Sequence, residues 1–246
     1  MSQSTESTTE SNPFTKPGFI IAAALVVALI AATVVIFLLP KGQGNAQPAP
    51  TESSSPATAN PSGTAAAGKS VCGLPASQET ALGTAPKSKW DLVGTMAVPT
   101  DPSTAGPGIE GKDGLRSCFA QSPTGALYAT ANIWAASFNG YAKQVYLELA
   151  ADSPTRDKAV KAINEGKDVG GGSSPKLQIA GFIIHSYTPT AAVVELAFKT
   201  EDGGYGALST SLLWESGDWK LDMPAAGGGT VRQISDLSSF ISWTGV

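Results

Sequence analysis

One histidine, His185, serves 246 residues, and only two cysteines, Cys72 and Cys118, accompany it. These counts exclude much chemistry. A zinc centre takes three or four His, Cys or acidic ligands, and one imidazole with two separated thiols cannot supply the usual sets. A Ser-His-acid relay needs its histidine beside a nucleophile, and no G-x-S-x-G raises a serine on a strand-to-helix turn. Charge is scarce as well, at 15% of residues. From Val71 to Val246 there are 13 Lys and Arg against 17 Asp and Glu, with no basic block. A phosphate-binding surface needs such a block. No metal, no cofactor and no direct nucleic-acid contact are expected.

What the chain does have is one long apolar run. Gly18–Leu39 reads GFIIAAALVVALIAATVVIFLL, 22 residues without a charge. As a helix it reaches roughly 33 Å, enough to cross a hydrocarbon core. Residues 1–17 are Ser/Thr-rich with Glu6 and Glu10, a polar head unlike the basic start of a cleaved leader. An uncleaved signal anchor is expected, with a cleaved, secreted form as the alternative. Lys16 and Lys41 flank the run evenly, so charge does not set its orientation. The short head, the long linker and the cysteine pair favour the head in the cytoplasm and residues 71–246 outside the cell membrane.

Residues 40–70 are a Pro/Ser/Thr/Ala/Gly tract with no side chain able to build a core. As a loose coil they span roughly 30 Å. Gly63–Ser70 matches G-x-x-x-x-G-K-[ST], but a phosphate cradle needs a strand before it and a helix after it. A Pro/Ser tract precedes this one and Val-Cys-Gly-Leu-Pro follows, so no nucleotide site is expected. Outside a membrane, Cys72 and Cys118 read as one disulfide. Two separate buried thiols are the alternative.

Residues 71–121 are rich in turn signals and form an irregular extension, with Trp90–Val98 its one strand-like stretch. Ser122-Pro123 then marks a helix start. Leu127, Ala131, Trp134 and Phe138 give that helix one apolar face. Asn139-Gly140 breaks it, Tyr141, Val145 and Leu149 mark a second helix, and Ser153-Pro154 opens a third that ends at Gly166. The Gly-rich runs 170–172 and 227–229 read as loops. After 176 the period changes to two. Leu177–Tyr187, Ala191–Lys199, Ala207–Glu215 and Asp218–Met223 read as four antiparallel strands. Helices followed by a strand meander is an α+β plan: helices packed on a curved antiparallel sheet, cone-like, over 122–246.

Strict alternation puts His185 on the strand face of Ile183 and Tyr187. Trp134, Trp214 and Trp219 either line an apolar pocket or fill the core. In a cone-shaped fold Asp222, Tyr128 and His185 could be asked for proton transfer beside a carbonyl, although nothing in their spacing fixes a shared geometry.

Six stretches carry a resemblance: CGLP (Cys72–Pro75), Trp90, GPG (Gly106–Gly108), GLRSCFAQSPTGAL (Gly114–Leu127), AGF (Ala180–Phe182) and the W-x-x-G-D-W-K-L of Trp214–Leu221. With the anchor, they make the chain similar to uncharacterised membrane-anchored proteins of actinobacterial integrative and conjugative elements. More broadly it resembles the nuclear transport factor 2-like cone found in bitopic assembly factors of type IV secretion and conjugation systems. That resemblance implies a non-enzymatic scaffold, tied to the bilayer through Gly18–Leu39 and working through protein partners in a membrane complex. A surface domain for a small apolar ligand or cell-wall component is the second reading, and a cone-fold isomerase or dehydratase the third.

Overall fold

A computed structural model describes residues 68–111, 114–169, 176–223 and 231–245. The apolar run Gly18–Leu39, most of the linker and the two Gly-rich loops lie outside these residues. Among the described residues no helix is long and apolar enough to cross a membrane.

The domain is α+β. Two short hairpins come first, β1 (Lys89–Val93) with β2 (Met96–Thr100), and β3 (Ile109–Glu110) with β4 (Arg116–Ser117). Helix α1 (Pro123–Ala136) and helix α2 (Pro154–Asn164) follow. The large sheet is antiparallel, in the order β10–β5–β6–β7–β8, with β9 also pairing β7. Its strands are β5 (Leu177–Thr188), β6 (Ala191–Thr200), β7 (Tyr205–Glu215), β8 (Asp218–Leu221), β9 (Arg232–Ile234) and β10 (Ile241–Ser242).

Ser122 caps α1 as its sequence predicts, its Oγ accepting from Gly125 N at 2.9 Å with Pro123 in the first turn. The expected single apolar face is corrected. α1 is buried on nearly all sides, Thr130 and Asn132 included. The sheet covers one flank through Leu196, Phe198, Leu208 and Leu212, and the segment before α1 covers the other through Val93, Met96 and Val98. Residues 68–121 are therefore a third layer. Thr130 and Asn132 tolerate burial because each bonds inward: Thr130 Oγ1 donates to Ala126 O, and Asn132 Nδ2 to Tyr128 O and Pro99 O. The single strand expected over Trp90–Val98 is a hairpin, with Gly94 at φ +59 turning the chain between Val93 and Met96.

After α1 the helical path breaks at Asn139-Gly140, as the sequence predicts. Asn139 (φ −106) and Gly140 (φ +92) interrupt it, and helical turns resume through Leu149. Arg156 of α2 then bonds Leu147 O and Tyr146 O. The Asp157 carboxylate lies 3.9 Å from Arg156. Gly68 to Leu74 are turn and coil, not the helix a phosphate loop needs; Ser70 is buried and its Oγ accepts from Leu74 N.

Gly125 shows how tightly α1 enters this arrangement. A Cβ there would sit 2.0 Å from Ala120 O. Ordinary helical Gly→Ala substitutions stabilise by roughly 1 kcal/mol. Here Gly125→Ala should instead destabilise by about 2–3 kcal/mol, as overpacking against rigid backbone does. Chemical denaturation reads the sign directly, and a gain in stability would refute the close approach.

Candidate functional site

The six residues named as pocket candidates have separate hydrogen-bond and ring partners. Tyr128 is buried in α1, its hydroxyl donating to Ser88 Oγ at 2.7 Å. Burial raises its pKa, only partly opposed by Ser88. Trp134 stacks on Phe138 and donates its indole N–H to Thr210 Oγ1 at 2.7 Å. Trp219 is fully buried, edge-on to Trp214 at 5.2 Å, with its indole N–H on Ala120 O. Asp222 follows β8 opposite Ser211, whose carbonyl accepts its N–H. The register Ser186, Val193, Ser211 places Asp222 three strands from β5, about 14 Å at ordinary strand spacing. Asp222 and His185 therefore do not meet, and Tyr128 lies inside the core away from both.

His185 has a different partner. Strand β5 carries two β-bulges, between Ile179 and Gly181 and between Ile184 and Ser186. Each adds a residue to β5 alone and resets the alternation. The core face of β5 is consequently Leu177, Ile179, Phe182, Ile184 and Tyr187; Tyr187 therefore leaves the face expected for His185, while Ile183 stays on it, opposite Glu195. His185 is the extra residue of the second bulge. Its Nε2 lies 2.8 Å from Glu195 Oε2, while Arg232 Nε and Nη2 both reach Glu195 Oε1, at 2.9 and 2.7 Å. The Glu195 side chain is only 5% exposed, against 45% for His185 and 57% for Arg232. A nearly buried carboxylate thus sits beneath two more exposed nitrogen bases on the face of the sheet turned away from α1.

This cluster ties three strands together, since its members come from β5, β6 and β9. In register, Glu195 stands between Ile183 and Ser209. The acid is in the middle, whereas acyl transfer needs the imidazole between acid and hydroxyl, so His185, Glu195 and Ser209 do not compose that relay. Arg232→Ala leaves Glu195 buried with His185 alone. It should cost about 1–3 kcal/mol in a urea titration, and an unchanged midpoint would show the ion pair to be dispensable.

On the same face a row of small residues crosses the sheet: Gly181, Ala197, Ala207, then Arg232. Ala197 and Ala207 are fully buried. The connection from β9 to β10, residues 235–240, runs from the β7 edge to the β5 edge. Beside it lies a groove of about 550 Å³, lined by Lys176, Gln178, Lys199, Tyr205, Leu237 and Thr244 among others. None of the six sequence-proposed residues lines it. Lys176 pairs with Glu201 at 2.8 Å across its rim.

A second buried acid, Asp218, lies at the other end of the sheet. Oδ2 accepts from Cys118 N, and Oδ1 from Phe119 N and Trp219 N, at 2.8, 2.8 and 2.9 Å. It fixes the corner at Cys118, whose φ is +62. The Cys72–Cys118 disulfide closes on that corner, as its cysteine pair predicts. Nothing in the spacing of Asp218 signals this role, which links residues 100 apart. Among the described residues no three His, Cys, Asp or Glu side chains converge as metal ligands.

No curated protein and no solved structure matches the chain significantly. Residues 51–242 match a family described as a domain of unknown function, DUF8175. That match takes in every strand of the domain and both helices, so the chain belongs to the DUF8175 family.

Proposed function

We propose that this protein is a single-pass, membrane-anchored scaffold of a conjugative, type IV secretion-like DNA-transfer apparatus, its α+β domain displayed outside the cell membrane. The anchor is the uncharged run Gly18–Leu39. In this reading the domain is a cone in the nuclear transport factor 2-like sense, a shape that the two bulges of β5 favour by bending the strand. The observation that carries the scaffold reading is the filled interior. Where such a cone would hold a ligand, Trp134, Tyr128 and Trp219 bond to Thr210, Ser88 and Ala120. The reading therefore places the work of the domain on its outer surface, with protein partners.

The test is in-cell cross-linking, purification of the tagged full-length protein from membranes, and identification of its companions. Recovery of channel subunits or a membrane ATPase is the expected result. DNA transfer should also fail in a clean deletion and not be rescued by residues 40–246 alone. Unchanged transfer in the deletion would overturn the conjugative role. A second reading, a surface domain for a small apolar ligand or cell-wall component, draws on the groove beside Lys199 and Tyr205. Recovery of the protein alone would favour it.

A further inference from the structure

The last described segment is attached to the domain in the manner of a bound peptide. Strand β10 pairs with β5 through two residue pairs only, Ile241 with Phe182 and Ser242 with Gly181. One more bond follows, Trp243 N to Ala180 O at 3.2 Å. The approach is close: a Cβ on Gly181 would lie 3.0 Å from Ile241 O and 3.1 Å from Phe240 Cβ. The residues leading in are exposed or half-buried, with Asp236 bonded only within its own turn, to Ser235 and Ser238.

One side chain is the exception. Trp243 is 4% exposed. Its ring sits 4.7 Å from Trp90, 5.6 Å from Phe182 and 5.9 Å from Tyr128. Its indole N–H donates to Ser88 Oγ at 3.2 Å, the same oxygen that accepts from the Tyr128 hydroxyl. A short added strand on a sheet edge, with one aromatic anchor in a pocket that also offers a hydrogen-bond acceptor, is a recurring mode of peptide recognition. The walls of the slot come from β1, α1 and β5, through Trp90, Tyr128 and Phe182.

We propose that the β5 edge with the Trp90–Tyr128–Phe182 slot is a binding site for an extended peptide bearing an indole, and that residues 240–245 of this chain are its resident, displaceable occupant. The partner is a strand-forming segment of another protein with a tryptophan at the anchor position. The occupant is covalently attached, so it competes at an effective concentration on the order of millimolar. Partner binding is correspondingly weakened until the segment lifts away. This inference stands apart from the membrane and conjugation reading.

The test uses the full-length protein and a fluorescent peptide with the sequence of residues 235–245. Trp243→Ala empties the slot. The variant should bind the peptide about tenfold or more tighter than the unaltered protein, and should ignore a peptide whose tryptophan is alanine. A folded Trp243→Ala protein that takes up no peptide, or binds both peptides alike, overturns the proposal. Should the variant fail to fold, amide exchange of the unaltered protein decides. Residues 240–245 exchanging through an opening well below the global one support a displaceable segment. Exchange only on global unfolding overturns it.

Discussion

Replacing Cys72 and Cys118 together with alanine will lower the unfolding free energy by about 4 kcal/mol. The bond joins residues 46 apart, and the chain-entropy cost of leaving a loop of that length open in the unfolded state is of that size. For a domain of this length the melting temperature should fall by roughly 8–16 °C. The folded corner has a second support. The Asp218 carboxylate holds the backbone N–H groups of Cys118 and Phe119, so the reduced protein should keep its fold. The loss should therefore appear largely in the unfolded ensemble, as a steeper denaturant dependence when the chain expands. Urea titrations of the oxidised protein and the double variant give both quantities. An unchanged midpoint would mean that the bond constrains nothing the corner does not already fix.

Much of this fold was legible in the sequence where one face of an element is wet. β7 alternates over Leu208–Leu212 because Ser209 and Ser211 meet solvent, and the register of β6, β7 and β8 follows from short turns at Asp202-Gly203 and Ser216-Gly217. The Ser122-Pro123 and Ser153-Pro154 caps set both helix starts for local reasons. Legibility fails where both faces are covered. LQIAGFIIHSY is apolar on either alternation, so neither bulge of β5 shows in it, and a slip of one residue put Tyr187 on the face of His185. α1 was given one apolar face because periodicity cannot reveal that a separate layer buries the other. The β1–β2 turn did leave a signal in Gly94, and it was missed.

The candidate site was less legible still. His185 stood out as the lone histidine, but its partners Glu195 and Arg232 are 10 and 47 residues away and meet it only through strand pairing. The tryptophans were visible as pocket candidates or core. Two of their indole N–H groups, those of Trp134 and Trp219, each find an acceptor inside the domain that no spacing in the sequence announces. Trp243, in a tail that offered no pattern, turned out to be the anchor of a docked segment.

Asp218→Asn is expected to cost about 2–4 kcal/mol at neutral pH, because a nitrogen replaces one acceptor and faces an N–H it cannot receive, leaving a buried donor unmade. Either orientation fails: one strands Cys118 N, the other both Phe119 N and Trp219 N. The loss also carries a pH signature. Burial pushes the Asp218 carboxyl above the ordinary aspartate value, and the amides of Phe119 and Cys118, the Lys220 ammonium and the amide of Trp219 oppose that without cancelling it. In the window just above 3.8, the native state therefore holds a proton that the unfolded chain has released. Stability from this group falls as pH rises through that window. Asp91 and Asp101 have the opposite sign. The Leu92 amide and Arg116 lower the first, and the Thr104 and Ser103 contacts lower the second. Both therefore withdraw stability only below their ordinary value. Urea midpoints across the acid range separate the two effects: the gap between wild type and Asp218→Asn should narrow as pH rises from 3.8 through the window above it. A gap that stays constant would mean that the carboxylate keeps its ordinary proton affinity inside the fold. Its three backbone bonds would then fully offset burial.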